Sequence, residues 1–410
     1  MLMQNRPNIF GRITRRRAIG TVGSLAVAGS LGASTSEAMT LQEDNTISEQ
    51  QGLQDARQGS AIINSKTASA DIDHLFAKRI FDGAGLATGV SETGEFMVFS
   101  PSPGRIIFVD EDGNAELHDT GFWSTASYIK ARESTGLIDI AWIDQDVVVT
   151  AERDGQIVYA YESADLWDVD STTDMQTHVV VTSPVEGEGA LGYGQDGEVQ
   201  WTTRLEDSVG ETVAISAEGA FVIVGCGEYQ MGTDYVGWNG VQCFDDSGSL
   251  LWQHETDMMV LSVGIHRDGN FVVAGTNAGT CVALDLDGSE LWKTEEIGAW
   301  VKLADDGESV ASSPQDGRYV CLDTEGELVR EVDTGLWAGW DFEISEDGSA
   351  AIIADRTEEL VVVKENEIIW DTSHDSGPAI GAISGDGESW SVMVQDNEEE
   401  DSLLHGYRIA

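Results

Sequence analysis

The chain has 410 residues, 73 acidic and 22 basic, for a formal net charge of −51. A polyanion of this size repels phosphate backbones, which excludes nucleic acid as a partner. Hydrophobic residues still make up 41% of the sequence, in regular alternation, so the chain is expected to fold despite acidic runs such as "DNEEED" (396–401). The acidic, lysine-poor composition resembles that of proteins from extreme halophiles, where concentrated salt screens self-repulsion.

Residues 1–38 read as an address. Arg15, Arg16 and Arg17 precede an apolar, small-residue run that is too short to span a bilayer comfortably. Thr14-Arg15-Arg16 followed by Ala18 and Ile19 resembles a twin-arginine export signal, although Ala18 is small where that motif has a bulky apolar residue. The resemblance implies a secreted or cell-surface protein. General secretion is the alternative, with the segment either cleaved or kept as an anchor. Beyond it no run is apolar enough for a membrane span. Residues 39–71, Gln- and Ser-rich without a sustained period, are expected to be a flexible spacer.

From residue 72 to 410 two phrases alternate. One is an apolar-Ser-acidic-Asp-Gly-apolar phrase, as in "ISAEGAFVIVG" (215–225) and "ISEDGSAAIIA" (344–354). The other is "CVALDLDGSELW" (281–292), repeated as "CFDDSGSLLW" (243–252) and, degraded, as "CLDTEGELVR" (321–330). Together they recur at roughly 40 residues, the length of one four-stranded antiparallel sheet. Asp-Gly pairs make the hairpins, since Gly accepts the positive φ required. The recurrent Trp201, Trp252, Trp292 and Trp370 fall on the last strand of their units, where a large ring is expected to cover the neighbouring sheet. The expected fold is an all-β propeller of eight four-stranded blades, or seven if the compact unit near 174–205 is not a full blade. The last unit supplies three clear strands, so the ring is expected to close by pairing a spare N-terminal strand with the C-terminal one.

"ALDLDGSELW" (283–292) resembles the pyrroloquinoline-quinone-type (PQQ-like) propeller repeat, one residue shorter in its turn. That family includes quinoprotein dehydrogenases and also cofactor-free scaffold propellers, so the resemblance implies the fold and not the cofactor. The adjacent cysteine pair and long ligand-bearing loops of the dehydrogenases are missing, and no quinone cofactor is expected. "DLDGSE" (285–290) and "DEDGNAE" (110–116) have the carboxylate spacing of calcium loops but an incomplete ligand run, and both fall where the repeat needs a turn. "GYGQDG" (192–197) leads into a strand and reads as a hairpin, not a dinucleotide loop. No zinc or nucleophile-elbow motif is present, so no metal or catalytic set is assigned.

Cys226 and Cys243 flank an insertion on adjacent predicted strands, which leaves a disulfide and free buried thiols both open. The insertion, "GEYQMGTDYVGWNG" (227–240), adds Tyr229, Tyr235 and Trp238, and long aromatic loops are often binding elements. The inter-blade connections carry Trp123, Trp300, Trp337 and Trp340, which either pack between blades or ring one mouth of the channel. The function expected is recognition of a protein or small ligand outside the membrane, without catalysis. The alternative is a secreted enzyme, an oxidoreductase or hydrolase dependent on quinone or calcium.

Overall fold

Each Asp-Gly phrase folds the chain back through an aspartate that closes its own turn. Asp245 Oδ1 accepts the Ser247 and Ser249 N–H groups, both at 2.9 Å. Asp285 Oδ1 accepts those of Asp287 and Ser289 at 3.1 and 2.9 Å. The glycines that follow, Gly248, Gly288 and Gly326, have φ of 76°, 83° and 81°, where a Cβ would be strained. The other phrase makes a different turn. Ser216, Ser345 and Ser384 Oγ accept the N–H five residues on at 3.1, 3.0 and 2.9 Å, and Ser345 and Ser384 donate to the Asp two residues on.

The computed structural model describes residues 53–55, 65–68, 72–80, 87–102, 105–119, 128–132, 135–142, 147–152, 157–162, 166–182, 190–193, 198–205, 208–231, 234–295, 297–298, 300–313, 317–336, 339–355, 359–373, 379–396 and 401–410. These turns join strands into eight antiparallel sheets of four or five strands, numbered here one to eight along the chain. They span 87–119, 128–162, 166–203, 209–255, 260–294, 301–333, 339–373 and 379–409. The compact unit near 174–205 contributes to a four-stranded sheet, the third. A two-stranded ribbon, Tyr229–Met231 with Asp234–Val236, extends from the fourth.

Within each sheet the chain meanders from the first strand to the last. The eighth takes only three strands from the C-terminal part, and its next is Ile72–Ile80, paired from Ile72↔Ile409 to Ile80↔Ser402. Two short segments within the expected spacer pair with sheet edges. Leu53–Asp55 pairs with Ile72–Ile80, and Ser65–Ala68 pairs with Glu367–Ser373 on the seventh sheet. Both cover sheet edges whose N–H and C=O groups would otherwise lack strand partners.

Alternation puts apolar side chains on both faces of every sheet, and eight buried clusters form between successive sheets. One joins Ile223, Val241 and Cys243 of the fourth sheet to Val272, Ala274 and Val282 of the fifth. Another joins Met393 and Leu404 of the eighth to Met97, Phe99 and Ile107 of the first. The result is a β-propeller-like, all-β fold. No helix among the described residues is long and apolar enough to cross a membrane.

The repeated tryptophans span these same boundaries. Trp252 Nε1 donates to Leu286 O at 2.7 Å and Trp292 Nε1 to Thr324 O at 2.8 Å, each in the last hairpin of the next sheet. A Cβ on Gly326 would lie 2.7 Å from the Trp292 ring, and one on Gly248 would lie 2.5 Å from Trp201. The turn glycine is therefore required twice, for its φ and for the indole above it. Trp370 instead packs on Trp390 and Tyr407 of the eighth sheet, at centroid distances of 6.0 and 4.9 Å. In the degraded copy Arg330 takes the tryptophan position and donates to Gly348 O at 3.0 Å.

The disulfide considered between Cys226 and Cys243 does not form; all four cysteines are free and buried. Cys226 lies opposite Gly240 and Cys243 opposite Ile223. That odd offset places the two thiols on opposite faces of the sheet, in different clusters. Burial pushes the thiols of Cys226, Cys243 and Cys281 up to about 12.

Two outcomes test this packing. Trp292→Ala is expected to lower unfolding free energy by about 2–4 kcal/mol, measured by denaturant titration, since it removes both an inter-sheet ring and its hydrogen bond. An aromatic thiol reagent should find no reactive cysteine in the native chain and all four in denaturant.

Candidate functional site: a channel lined by the first strands

The first strand of each sheet is an edge strand, with one side unpaired. Side chains of the preceding sheet satisfy part of that edge. Asp168 Oδ2 accepts the Val213 N–H at 2.9 Å and Asp170 Oδ2 the Ile215 N–H at 3.0 Å. Ser262 Oγ likewise accepts the Val301 N–H at 2.8 Å. The first strands of all eight sheets line one cavity of 630 Å³.

The lining is layered. At the end where the first strands turn into the second, successive turns are tied by backbone bonds. Thr173 N–H donates to Ala217 O at 3.1 Å, Ala217 N–H to Arg267 O at 3.2 Å, and Asp386 N–H to Glu92 O at 3.0 Å. Arg132 of the second sheet lies across this end. Its Nη1 is 3.4 Å from Glu92, 3.1 Å from Asp305 and 3.9 Å from Glu346, which belong to the first, sixth and seventh sheets. Burial opposes the Arg132 charge, but Asp305 and Glu92 more than offset it and raise its pKa. Mid-channel, Lys130 meets Asp170 at 2.7 Å and Lys302 meets Glu343 at 2.6 Å.

The opposite end is built differently. Four first strands each carry a β-bulge, between Leu166 and Asp168, Gly210 and Thr212, Val260 and Ser262, and Gly339 and Asp341. The inserted residues are Trp167, Glu211, Leu261 and Trp340, and the first three line the cavity. A bulge re-aims one side chain without breaking the sheet, and bulges gather beside active and binding sites. Trp167 is 51% exposed, unusual for a large ring. Its indole N–H donates to the Glu211 carboxylate, which burial nevertheless pushes up to about 7. Asp168 is pushed up to about 6 by burial, against the N–H groups of Val213 and Val169. Burial, then Asp170, Asp139 and Asp168, raise Tyr128 well above an ordinary phenol.

Of the aromatics expected at a mouth, Trp300 does line the channel, half-buried against the cluster between the sixth and seventh sheets. Trp340 sits at a bulge by its backbone. Trp123 and Trp337 lie outside the described residues, as do Arg15 and Arg16. Tyr229 and Tyr235 belong to the ribbon, opposite Val236 and Gln230. Trp238 is drawn away from the ribbon tip, packed on the cluster between the third and fourth sheets. Sequence reasoning passed over Trp167, Glu211, Tyr128 and the two ion pairs. A signal was present: Asp170, Lys302 and Glu343 each stand two residues before the Thr, Ala or Ser that opens the turn, at the same place in the repeat.

The residues do not fit the cysteine-flanked quinone site of the dehydrogenases, because the four cysteines are held in clusters between sheets. Asp110 and Asp285, in the calcium-like loops, accept N–H groups of their own turns.

Glu211 makes a pH prediction. A carboxyl raised from 4.5 to about 7 keeps its proton more tightly when folded. Folding is therefore favoured below 4.5, and that contribution is lost as pH rises through about 7. Glu211→Gln is expected to be more stable than the parent at about pH 8, by up to about 3 kcal/mol, with the gap closing near pH 4. Thermal or denaturant unfolding at the two pH values measures it.

No family model matches the chain, and no curated protein matches it. Among solved structures it is similar to Kuenenia stuttgartiensis hydrazine synthase, with a TM-score of 0.53 and 13% identity, over 69% of this chain and 96% of that one. At this identity the likeness shows the β-propeller-like fold alone.

Proposed function

We propose that the chain is an exported, eight-bladed PQQ-like propeller, closed by Ile72–Ile80 on Asp401–Ile409, that acts outside the membrane as a binding module. The ligand or partner segment enters the channel at the bulged mouth, against Trp167 and Trp300. One observation carries this reading: the bulges turn Trp167, Glu211 and Leu261 into a cavity whose other end is crossed by Arg132. The volume, 630 Å³, suits a small molecule or an inserted peptide segment. Mid-channel charges are engaged with each other, which leaves recognition to the mouth. The Arg15-Arg16 segment supports export, and the net charge of −51 supports a high-salt setting.

A second reading, an acid–base enzyme, draws on Asp168 and Glu211, raised to about 6 and about 7 in one cleft. The discriminating experiment purifies the full chain from its host at high salt, alongside Trp167→Ala/Trp300→Ala, and identifies co-purifying molecules by mass spectrometry. The binding reading expects a specific companion with the parent and its loss from the variant. A companion retained by the variant overturns it, and so does chemical turnover of the bound molecule.

A further inference from the structure

The charges lining the channel do not balance. Seven carboxylates, Glu92, Asp168, Asp170, Glu211, Asp305, Glu343 and Glu346, share it with Lys130, Arg132, Arg267 and Lys302. Three of these bases are paired, Lys130 with Asp170, Lys302 with Glu343, and Arg132 with Asp305 and Glu92, while Arg267 is exposed and its charge acts on Glu346 at the Arg132 end. Glu211, at the bulged mouth, is met by the Trp167 indole N–H and by no basic side chain among the described residues. The Tyr128 hydroxyl, also in the lining, makes no hydrogen bond among the described residues.

We propose that the bulged mouth selects a cation on an apolar stem, an ammonium or guanidinium that passes over Trp167 and ends against the Glu211 carboxylate. This rests on the channel-binding reading above and names its ligand class. An indole face attracts a cation through its quadrupole, more strongly when water is excluded. The carboxylate supplies the opposite charge at a site screened less than the open surface, so the contact persists in concentrated salt. Lys130–Asp170 and Lys302–Glu343 lie farther along the channel toward the Arg132 end. Both pairs are closed, and Asp168, a further lining carboxylate without a basic partner among the described residues, accepts the Val213 N–H, so the cation stays near the mouth at Glu211. A Lys or Arg side chain of a partner and a free organic amine present the same chemistry.

The test is calorimetric titration of the full chain with N-acetyl-lysine methylamide and with its neutral isostere, N-acetyl-norleucine methylamide. The lysine compound is expected to bind at least about tenfold more tightly at about pH 8.5, as a charge-assisted contact should. With the Glu211 carboxyl at about 7, its affinity should fall about thirtyfold by about pH 5.5, because the proton competes with the cation. Glu211→Gln should abolish both the preference and the pH dependence while still binding the neutral compound. Butylamine in a parallel titration separates the sources: a tighter lysine compound points to a partner side chain, equal affinities to a free amine.

Equal binding of lysine and norleucine compounds overturns the charge selection and leaves the channel reading standing. So does a lysine preference that survives Glu211→Gln. If neither compound binds, the cation proposal falls. The channel reading is then decided separately by the Trp167→Ala/Trp300→Ala co-purification.

Discussion

Apolar contact between the faces of successive sheets is the constraint on which everything else in this protein depends. A four-stranded sheet has two apolar faces and too little area to make a core alone, so each face must be covered by the next sheet. Eight clusters do this, including one from the eighth sheet to the first. The tryptophans add directional contacts to that general one. An indole that both covers a neighbouring turn and donates to its carbonyl, as Trp252 and Trp292 do, sets the angle between sheets as well as their separation. This is why a turn glycine and a tryptophan recur together.

The same packing creates the functional problem. Sheets that meet face to face leave their first strands lining a common cavity, with one polar edge each. That edge must be satisfied without a further strand. Asp168 and Asp170 do so from the third sheet to the fourth. Carboxylates placed there lose hydration, and Asp168 and Glu211 rise toward neutrality. The titration of the channel is thus a consequence of how the edges are paired, sharpened at Glu211 by a bulge.

Arg132 gives the channel its polarity. A guanidinium held by carboxylates from three other sheets ties distant parts of the fold together at one end, while the bulged end keeps a half-exposed indole. The cavity thereby has two unlike ends. The asymmetry comes from side chains and bulges of the first strands, outside the Asp-Gly hairpins that carry the clamp.

Much of the architecture was legible from local physics. Period-2 alternation, Asp-Gly hairpins and a tryptophan at a constant offset are short-range signals, and they yield strands, turns and inter-sheet contacts without knowledge of distant residues. Trp300 was legible for the same reason, because it stands in a connection whose place the repeat defines. The sequence by itself therefore determined the repeating sheet and its clamp. Tertiary structure decided what depends on register and on residues far apart in the chain. The odd offset of Cys226 and Cys243 across paired strands keeps them apart, and the edges of the seventh and eighth sheets recruit Ser65–Ala68 and Leu53–Asp55 from a segment with no strand pattern. Arg132 meets Asp305, 173 positions away, only because the first strands line one cavity. A bulge at Glu211 has no sequence mark, since it arises from how two strands pair, and that pairing turns an ordinary strand residue toward the channel.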